Sequence, residues 1–552
     1  MTAEARALAD ELLDVLGSWT PLEATFAGIP GHDAELPDPS EAAHAELRAR
    51  AADILGRARA SGDPDRVTLG VVEQQAEAVL IRLDAKDVEF TLADPLSAIG
   101  MSHLAFLPQV VQAEEDFLTR LAALPAFYEA LAQRQRNGLR AGRTPVDRAA
   151  HNAIAFADRF LAQETPFPQL LTGDRGERLV TEVVRPALER YREFLATEVA
   201  GHGRPDDRPG LCWLEDGEAH YAALARLHTT TDRTPQELHQ LGLDVLAGLE
   251  AEYAEIGGRI FGLTDPAEVR RRLRSDESLR WRDAEEMLET ARAAVARATA
   301  AAPDWFPRMP SAECVVRAVP EAEAPVAAAA YYMPPAPDGS RPGVYYTNTY
   351  EVQTRDRFIA ETVAFHEAVP GHHFAESLAL ELTNLPQLRR IAMITAYGEG
   401  WALYTERLAD EMSLFSDDLM RLGMVAEDSV RAARLVVDTG LHALRWTRQQ
   451  CVEFLRSHTV LSEVEVQSET DRYIECPGQA LAYMTGRLEI LRLRRFAEEK
   501  LGESFDIKEF HGVVLGGGQL PMKVLDEVVR AWVDRCLSPS GSDTRGPATP
   551  NV

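Results

Sequence analysis

His366-Glu367-Ala368-Val369-Pro370-Gly371-His372-His373, followed by Gly398-Glu399-Gly400-Trp401, is the stretch on which the reading of this chain turns. It sets three imidazoles and two carboxylates into a segment whose apolar spacing is otherwise helical. Phe358, Ile359, Ala364 and Phe365 give the helix ahead of it an apolar face. Two histidines on one unbroken helix share an ion when they stand four residues apart, one turn along the same face. Here the position four after His366 is Pro370, and the next histidines come six and seven residues on. On a continuous helix the sixth residue faces the wrong side and the seventh lies about 10.5 Å along the axis. Neither shares an ion with His366 at bonds of about 2.0–2.1 Å. The helix must therefore break between them. Pro370-Gly371 suits that break, because proline removes a helix hydrogen bond and glycine frees the backbone.

Imidazole plus carboxylate is the donor set of a catalytic zinc, with three protein ligands and one open position for water. The candidate ligands are His366, Glu399, and one of His372 and His373. Ligand type alone selects zinc among the divalent ions, at one per chain. Glu399 falls on the next predicted helix, and its neighbours Gly398 and Gly400 are expected to let that helix close on the first. Glu406, seven residues on and on the same face, is placed to orient a ligand histidine. The competing reading is a polar core cluster or a helix-end turn. An isolated histidine favours that reading; His-Glu, Pro-Gly-His-His and Glu-Gly-Trp together favour the metal.

Around this stretch the chain reads as mainly α. Amphipathic periods predict helices over 5–16, 41–60, 71–85, 114–137, 148–163 and 178–199. Thr234-Pro235-Gln236-Glu237 predicts a helix start, with a Thr cap, Pro at the first position and Glu in the capping box. Short β-like runs over 314–319, 328–333 and 344–348, parted by turn signals, predict a small antiparallel sheet just before the histidines. Its strand around Tyr345, Tyr346 and Asn348 is expected to hold an extended peptide by main-chain hydrogen bonds; a purely bracing hairpin is the alternative. Helices resume over 355–368, 388–412, 416–440, 447–458, 463–474, 478–501 and 521–536. The organisation expected is a helical part over 1–310, a catalytic part over 311–537 and a disordered tail over 538–552.

A net charge of −29 argues against nucleic acid and against an anionic membrane surface. It leaves a weak bias toward cationic or neutral substrates, although an acidic surface more often serves solubility. Five scattered cysteines without a C-x-x-C pair fit reduced thiols. With no signal-like N-terminus and no long apolar run, the cytoplasm is the expected location. Oligomeric state is not readable from the sequence.

Further strings accompany the histidine motif: Gly28-Ile29-Pro30-Gly31-His32-Asp33, His228-Thr229-Thr230-Thr231, 342–349 and Pro477-Gly478-Gln479-Ala480-Leu481-Ala482-Tyr483. Together with His366 to His373 and Gly398 to Glu406, they make the chain resemble the bacterial domain-of-unknown-function family 885, grouped with the gluzincin metallopeptidases. The pair Glu399 and Glu406 is similar to the two glutamates, seven apart, of thimet-type oligopeptidases and thermostable carboxypeptidases. Gly371-His372 is similar to the Gly-His that ends their H-E-x-G-H motif, which implies His372 as second ligand with His373 its rival. The resemblance implies a helical, clam-like peptidase with a deep cleft. It also implies transition-state donors well beyond the motif, for which Tyr473, Tyr483, His442 and Arg487 are candidates. The expected activity is hydrolysis of a peptide or related amide with Glu367 as general base. A metal-dependent tailoring enzyme on a peptide-like metabolite and a metal-free helical scaffold are the alternatives.

Overall fold

The computed structural model describes residues 3–92, 107, 113–163, 167, 174–321, 324, 327–336, 339 and 341–538. Apart from Ser538, the expected tail lies outside the described residues. The N-terminal helices Ala3–Trp19, Glu41–Ala60, Arg66–Ala85, Glu114–Arg140 and Asp147–Ala162 follow the apolar periods. The stretch predicted as one helix over 178–199 is instead Arg185–Phe194 flanked by two π-helical turns, Val180–Val184 and Leu195–Val199.

Helix α1 (Pro235–Phe261) begins with the predicted capping box and ends at Gly262 in the left-handed conformation. Six further helices build the region of interest: α2 (Ala360–Glu367), α3 (His372–Leu380), α4 (Thr395–Glu411), α5 (Asp418–His442), α6 (Glu463–Glu475) and α7 (Ala482–Leu501). Helix α5 is buried along nearly its whole length and packs along α1, where Gly242 lets the α5 backbone approach.

The sheet consists of β1 (Cys314–Ala318), β2 (Ala330–Met333) and β3 (Gly343–Thr347) in the order β1-β3-β2. It is mixed, which corrects the antiparallel expectation. The consecutive strands β2 and β3 pair antiparallel; β1 lies on the far side of β3 and runs parallel to it. The strand carrying Tyr345 and Tyr346 is therefore central, and its main-chain groups are taken on both sides. The sheet abuts α3, with the Tyr332 hydroxyl 3.0 Å from His373 Nδ1.

Three apolar cores hold the molecule, and each takes residues from both sides of residue 310. The first joins the helices of 3–85 to α2, α4, α7 and Met522–Leu537. The second joins residues 114–246 to α5, α6 and the start of α7. The third packs the C-terminal half of α1 on the first half of α5. Among the described residues no helix is long and apolar enough to cross a membrane.

The glycines beside Glu399 have a different role from the one expected. Gly400 faces Gly486 of α7, and a Cβ on Gly486 would overlap the carbonyl oxygen of Ala396. Gly398 faces the side chain of Gln519. The close approach is thus of α4 on α7, not of α4 on α2. Gly486→Ala should destabilise the fold by at least about 3 kcal/mol, because backbone blocks the added methyl. Gly248→Ala, at an exposed α1 position with no atom within 4 Å of the new methyl, should be neutral or stabilise by about 1 kcal/mol. Urea unfolding of the two variants checks the contrast.

Candidate metal centre

The predicted break lies between Glu367, where α2 ends, and His372, where α3 begins. The Val369–Pro370 peptide within it is cis. Gly371 sits directly against the carbonyl of His366, where any side chain would collide with backbone. Two hydrogen bonds from α4 hold the break. Trp401 Nε1 donates to the Pro370 carbonyl at 2.9 Å, and Thr405 Oγ1 donates to the Phe365 carbonyl at 3.3 Å. The helix that carries Glu399 is thereby tied to α2 and to the interruption itself.

The result is a cluster of two imidazoles and a carboxylate. His366 Nε2 lies 3.6 Å and His372 Nε2 3.5 Å from Glu399 Oε2, with the two rings nearly perpendicular at 84°. Donors around a tetrahedral zinc, at bonds of about 2.0–2.1 Å, stand roughly 3.3–3.4 Å apart. The donor set and the spacing both fit a zinc. Each imidazole is backed by a carboxylate: His366 Nδ1 donates to Glu406 Oε1 at 2.7 Å, and His372 Nδ1 lies 3.5 Å from Glu376 Oε1. A carboxylate on Nδ1 fixes the tautomer and leaves Nε2 with its lone pair toward the centre. Glu376 escaped the sequence reading. Its signal was the spacing of four from His372, which puts both on one helix face.

The field here is strongly negative. Burial alone would raise the Glu399 carboxyl, but hydrogen bonds with His366 and His372 outweigh it and hold the group well below the usual carboxylate range. Burial alone would lower His366, but Glu399 and Glu406 outweigh it and push the imidazole up to about 10. Burial, with Glu399 and Glu367 adding repulsion, pushes Glu376 up to about 7. This field draws protons onto the imidazoles, and a dication competes with those protons for the same lone pairs. Glu367 is half-buried. Among the described residues its carboxylate accepts no hydrogen bond and pairs with no cation, yet it acts electrostatically on both histidines and on Tyr345.

The other candidate residues fall in several places. His373 points away from the cluster, with Nε2 3.1 Å from the Ala312 carbonyl and Nδ1 near Tyr332 and Ser377. One step along a helix turns a side chain by about 100°, so His372 and His373 cannot face the same ion. Asn348 donates to the carbonyls of Ala324, Ala327 and Ala328 and accepts from Tyr350 N–H, closing a loop. Tyr346 stacks on Tyr331, and Tyr345 is buried beside Glu367. Arg487 pairs with buried Asp428. His442 has both nitrogens engaged, with Leu211 N–H and the Tyr473 carbonyl. Tyr473 is fully engaged too, accepting from Arg434 and donating to Glu469 at 2.6 Å.

Tyr483 differs from these. Its oxygen accepts from Arg472 at 3.5 Å and Gln479 at 3.4 Å, and among the described residues its proton meets no acceptor. An open recess of about 530 Å³ lined by Thr230, Arg233, Glu489 and Lys523 lies apart from the cluster, and its charged groups pair with one another.

With the fold and cluster described, the chain is placed among bacterial proteins that share this architecture. It belongs to the DUF885 family, described as bacterial protein of unknown function, whose model matches residues 21–529. It is similar to a solved structure described as the putative lipoprotein from Colwellia psychrerythraea. Identity is 27% and the TM-score 0.88, over 97% of this chain and 100% of that one. It shares its fold with a putative lipoprotein of unknown function from Shewanella oneidensis, at 18% identity and TM-score 0.74, over 96% of this chain and 100% of that one. No curated protein matches the chain.

Two sets of variants test the assignments around the cluster. Glu376→Gln and Glu406→Gln should each weaken zinc binding by about 10–100-fold in chelator competition, because each removes the group that orients a histidine. Tyr473→Phe should cost about 1–3 kcal/mol of stability in urea unfolding by leaving buried partners unmet, and Tyr483→Phe less than about 1 kcal/mol.

Proposed function

We propose that this chain is a zinc-dependent hydrolase of a peptide or related amide bond, holding one zinc through His366, His372 and Glu399. The observation that carries the proposal is the convergence of two imidazoles on one carboxylate at 3.5–3.6 Å, with Glu367, a carboxylate unpartnered among the described residues, adjoining His366 in sequence. A purely structural site needs no such base. A bound zinc would polarise the scissile carbonyl and acidify a water. Glu367 takes the proton of the attacking water and returns it to the leaving amine. Tyr483, whose proton meets no acceptor among the described residues, donates to the developing oxyanion. Glu406 and Glu376 hold the two histidines in register.

The strand suited to hold substrate backbone is β2 rather than β3, because β2 lies at an edge of the sheet and contacts α2 and α3. The deep cleft and the gluzincin kinship remain part of this proposal. A reducing, cytoplasmic compartment, expected from the five scattered cysteines of the sequence, remains part of this proposal.

Plasma mass spectrometry of the purified, zinc-reconstituted chain should find about one zinc per molecule, lost in Glu399→Ala. Glu367→Gln should keep the zinc and abolish turnover of library peptides. Tyr483→Phe should lower kcat by about a hundredfold or more. A wild-type protein that takes up no zinc, or a zinc-loaded Glu367→Gln protein with full activity, would overturn the proposal.

A further inference from the structure

A group of arginines, one of them within electrostatic reach of Glu406, is not used by the proposed chemistry. Arg431 and Arg434 stand three residues apart on α5, on the same side of the helix, and repel each other. Arg431 is also within electrostatic reach of Glu406, the carboxylate that holds His366. Arg434 lies over the ring of Tyr483, its guanidinium carbon 4.6 Å from the ring centre. The pair is thus tied on one side to the support of a ligand histidine and on the other to the tyrosine assigned to the oxyanion.

Their hydrogen-bonding capacity is only partly used. Arg431 gives Nη1 to Glu427; among the described residues its Nε and Nη2 have no partner, and of these two Nη2 is the one that is not fully buried. Arg434 gives Nε to Tyr473 and Nη2 to Glu469, and its Nη1 has no partner among the described residues. Glu469 is shared with Arg472, so three guanidiniums divide two carboxylates, Glu427 and Glu469. Burial and mutual repulsion both act against two guanidiniums here, and the acids around them, Glu427 and Glu469 among them, offset that cost. A further carboxylate arriving between them would meet free N–H donors in the planar geometry that guanidinium offers. The net negative charge of the chain does not oppose this, because at contact distance the nearest charges decide.

We propose that Arg431 and Arg434 bind a carboxylate of the substrate beside the candidate centre, so that the hydrolase selects peptides or amides bearing that anionic group. The inference rests on the hydrolase reading above. The carboxylate is either a free C-terminus or an acidic side chain.

The test uses the full zinc-reconstituted chain and a random pentapeptide library in three forms. One has free C-termini, one is amidated, and one is amidated with every Asp and Glu replaced by Asn and Gln. Initial cleavage rates are read by mass spectrometry. Charge-assisted hydrogen bonds predict a preference of at least about tenfold for one carboxylate-bearing form over its neutral counterpart, and the form preferred identifies the source. Arg431→Gln and, separately, Arg434→Lys should each cut that preference to less than about threefold. A merely structural role would lower stability and leave the ratio of charged to neutral substrate unchanged. Equal cleavage of all forms by the wild type, or an unchanged ratio in both variants, overturns the proposal.

If no peptide is cleaved, the hydrolase reading fails, and the binding proposal is decided separately. Equilibrium dialysis of the same library against zinc-loaded Glu367→Gln protein should retain carboxylate-bearing peptides selectively. Retention without regard to charge, or none, overturns it.

Discussion

The backbone interruption between Glu367 and His372 is the constraint on which the candidate centre depends. An unbroken helix would carry the second imidazole past the first or turn it to the opposite face. The interruption resets the helical phase so that His372 faces His366 across Glu399. It is held by main-chain contacts: Gly371 lies against the His366 carbonyl, and the Trp401 indole is bonded to the Pro370 carbonyl. Glu399 lies two residues before Trp401 on the same helix, so the clamp on the break also sets the reach of the third donor.

Four carboxylates, Glu367, Glu376, Glu399 and Glu406, surround two imidazoles, and Arg431 lies within electrostatic reach of Glu406. Arg431, Arg434 and Arg472 in turn share Glu427 and Glu469, so the arginines nearest the cluster carry acids of their own. Hydrogen-bond accounting separates two tyrosines: Tyr473 is closed on both sides by Arg434 and Glu469, and among the described residues the Tyr483 proton meets no acceptor.

Much of this was legible in the sequence, and the remainder failed for identifiable reasons. Apolar periodicity located most helices, the capping box at Thr234 is present, and the three strands lie within a few residues of their expected bounds. The need for a break followed from the arithmetic of a helical turn. The choice between His372 and His373 did not, because it depends on the phase in which α3 restarts. Strand order was hidden, since spacing along the chain does not say which edge β1 joins, and so the substrate role expected of Tyr345, Tyr346 and Asn348 had no basis in the sheet. Gly400 was recognised as a close-packing residue but given the wrong partner, because nothing near it in sequence points to Gly486. Tyr473, His442 and Arg487 were plausible donors until their tertiary partners were visible.

The three cores each combine residues from before and after position 310. During synthesis the first half of the chain emerges with the apolar faces of Ala3–Trp19, Arg66–Ala85 and α1 only partly matched, because α4, α5 and α7 have yet to be made. Those faces wait on the ribosome until the later helices are made, exposed to aggregation or shielded by chaperones. The same interleaving means that no fragment cut near the middle can carry a finished core, so the chain gains its structure late and as a whole.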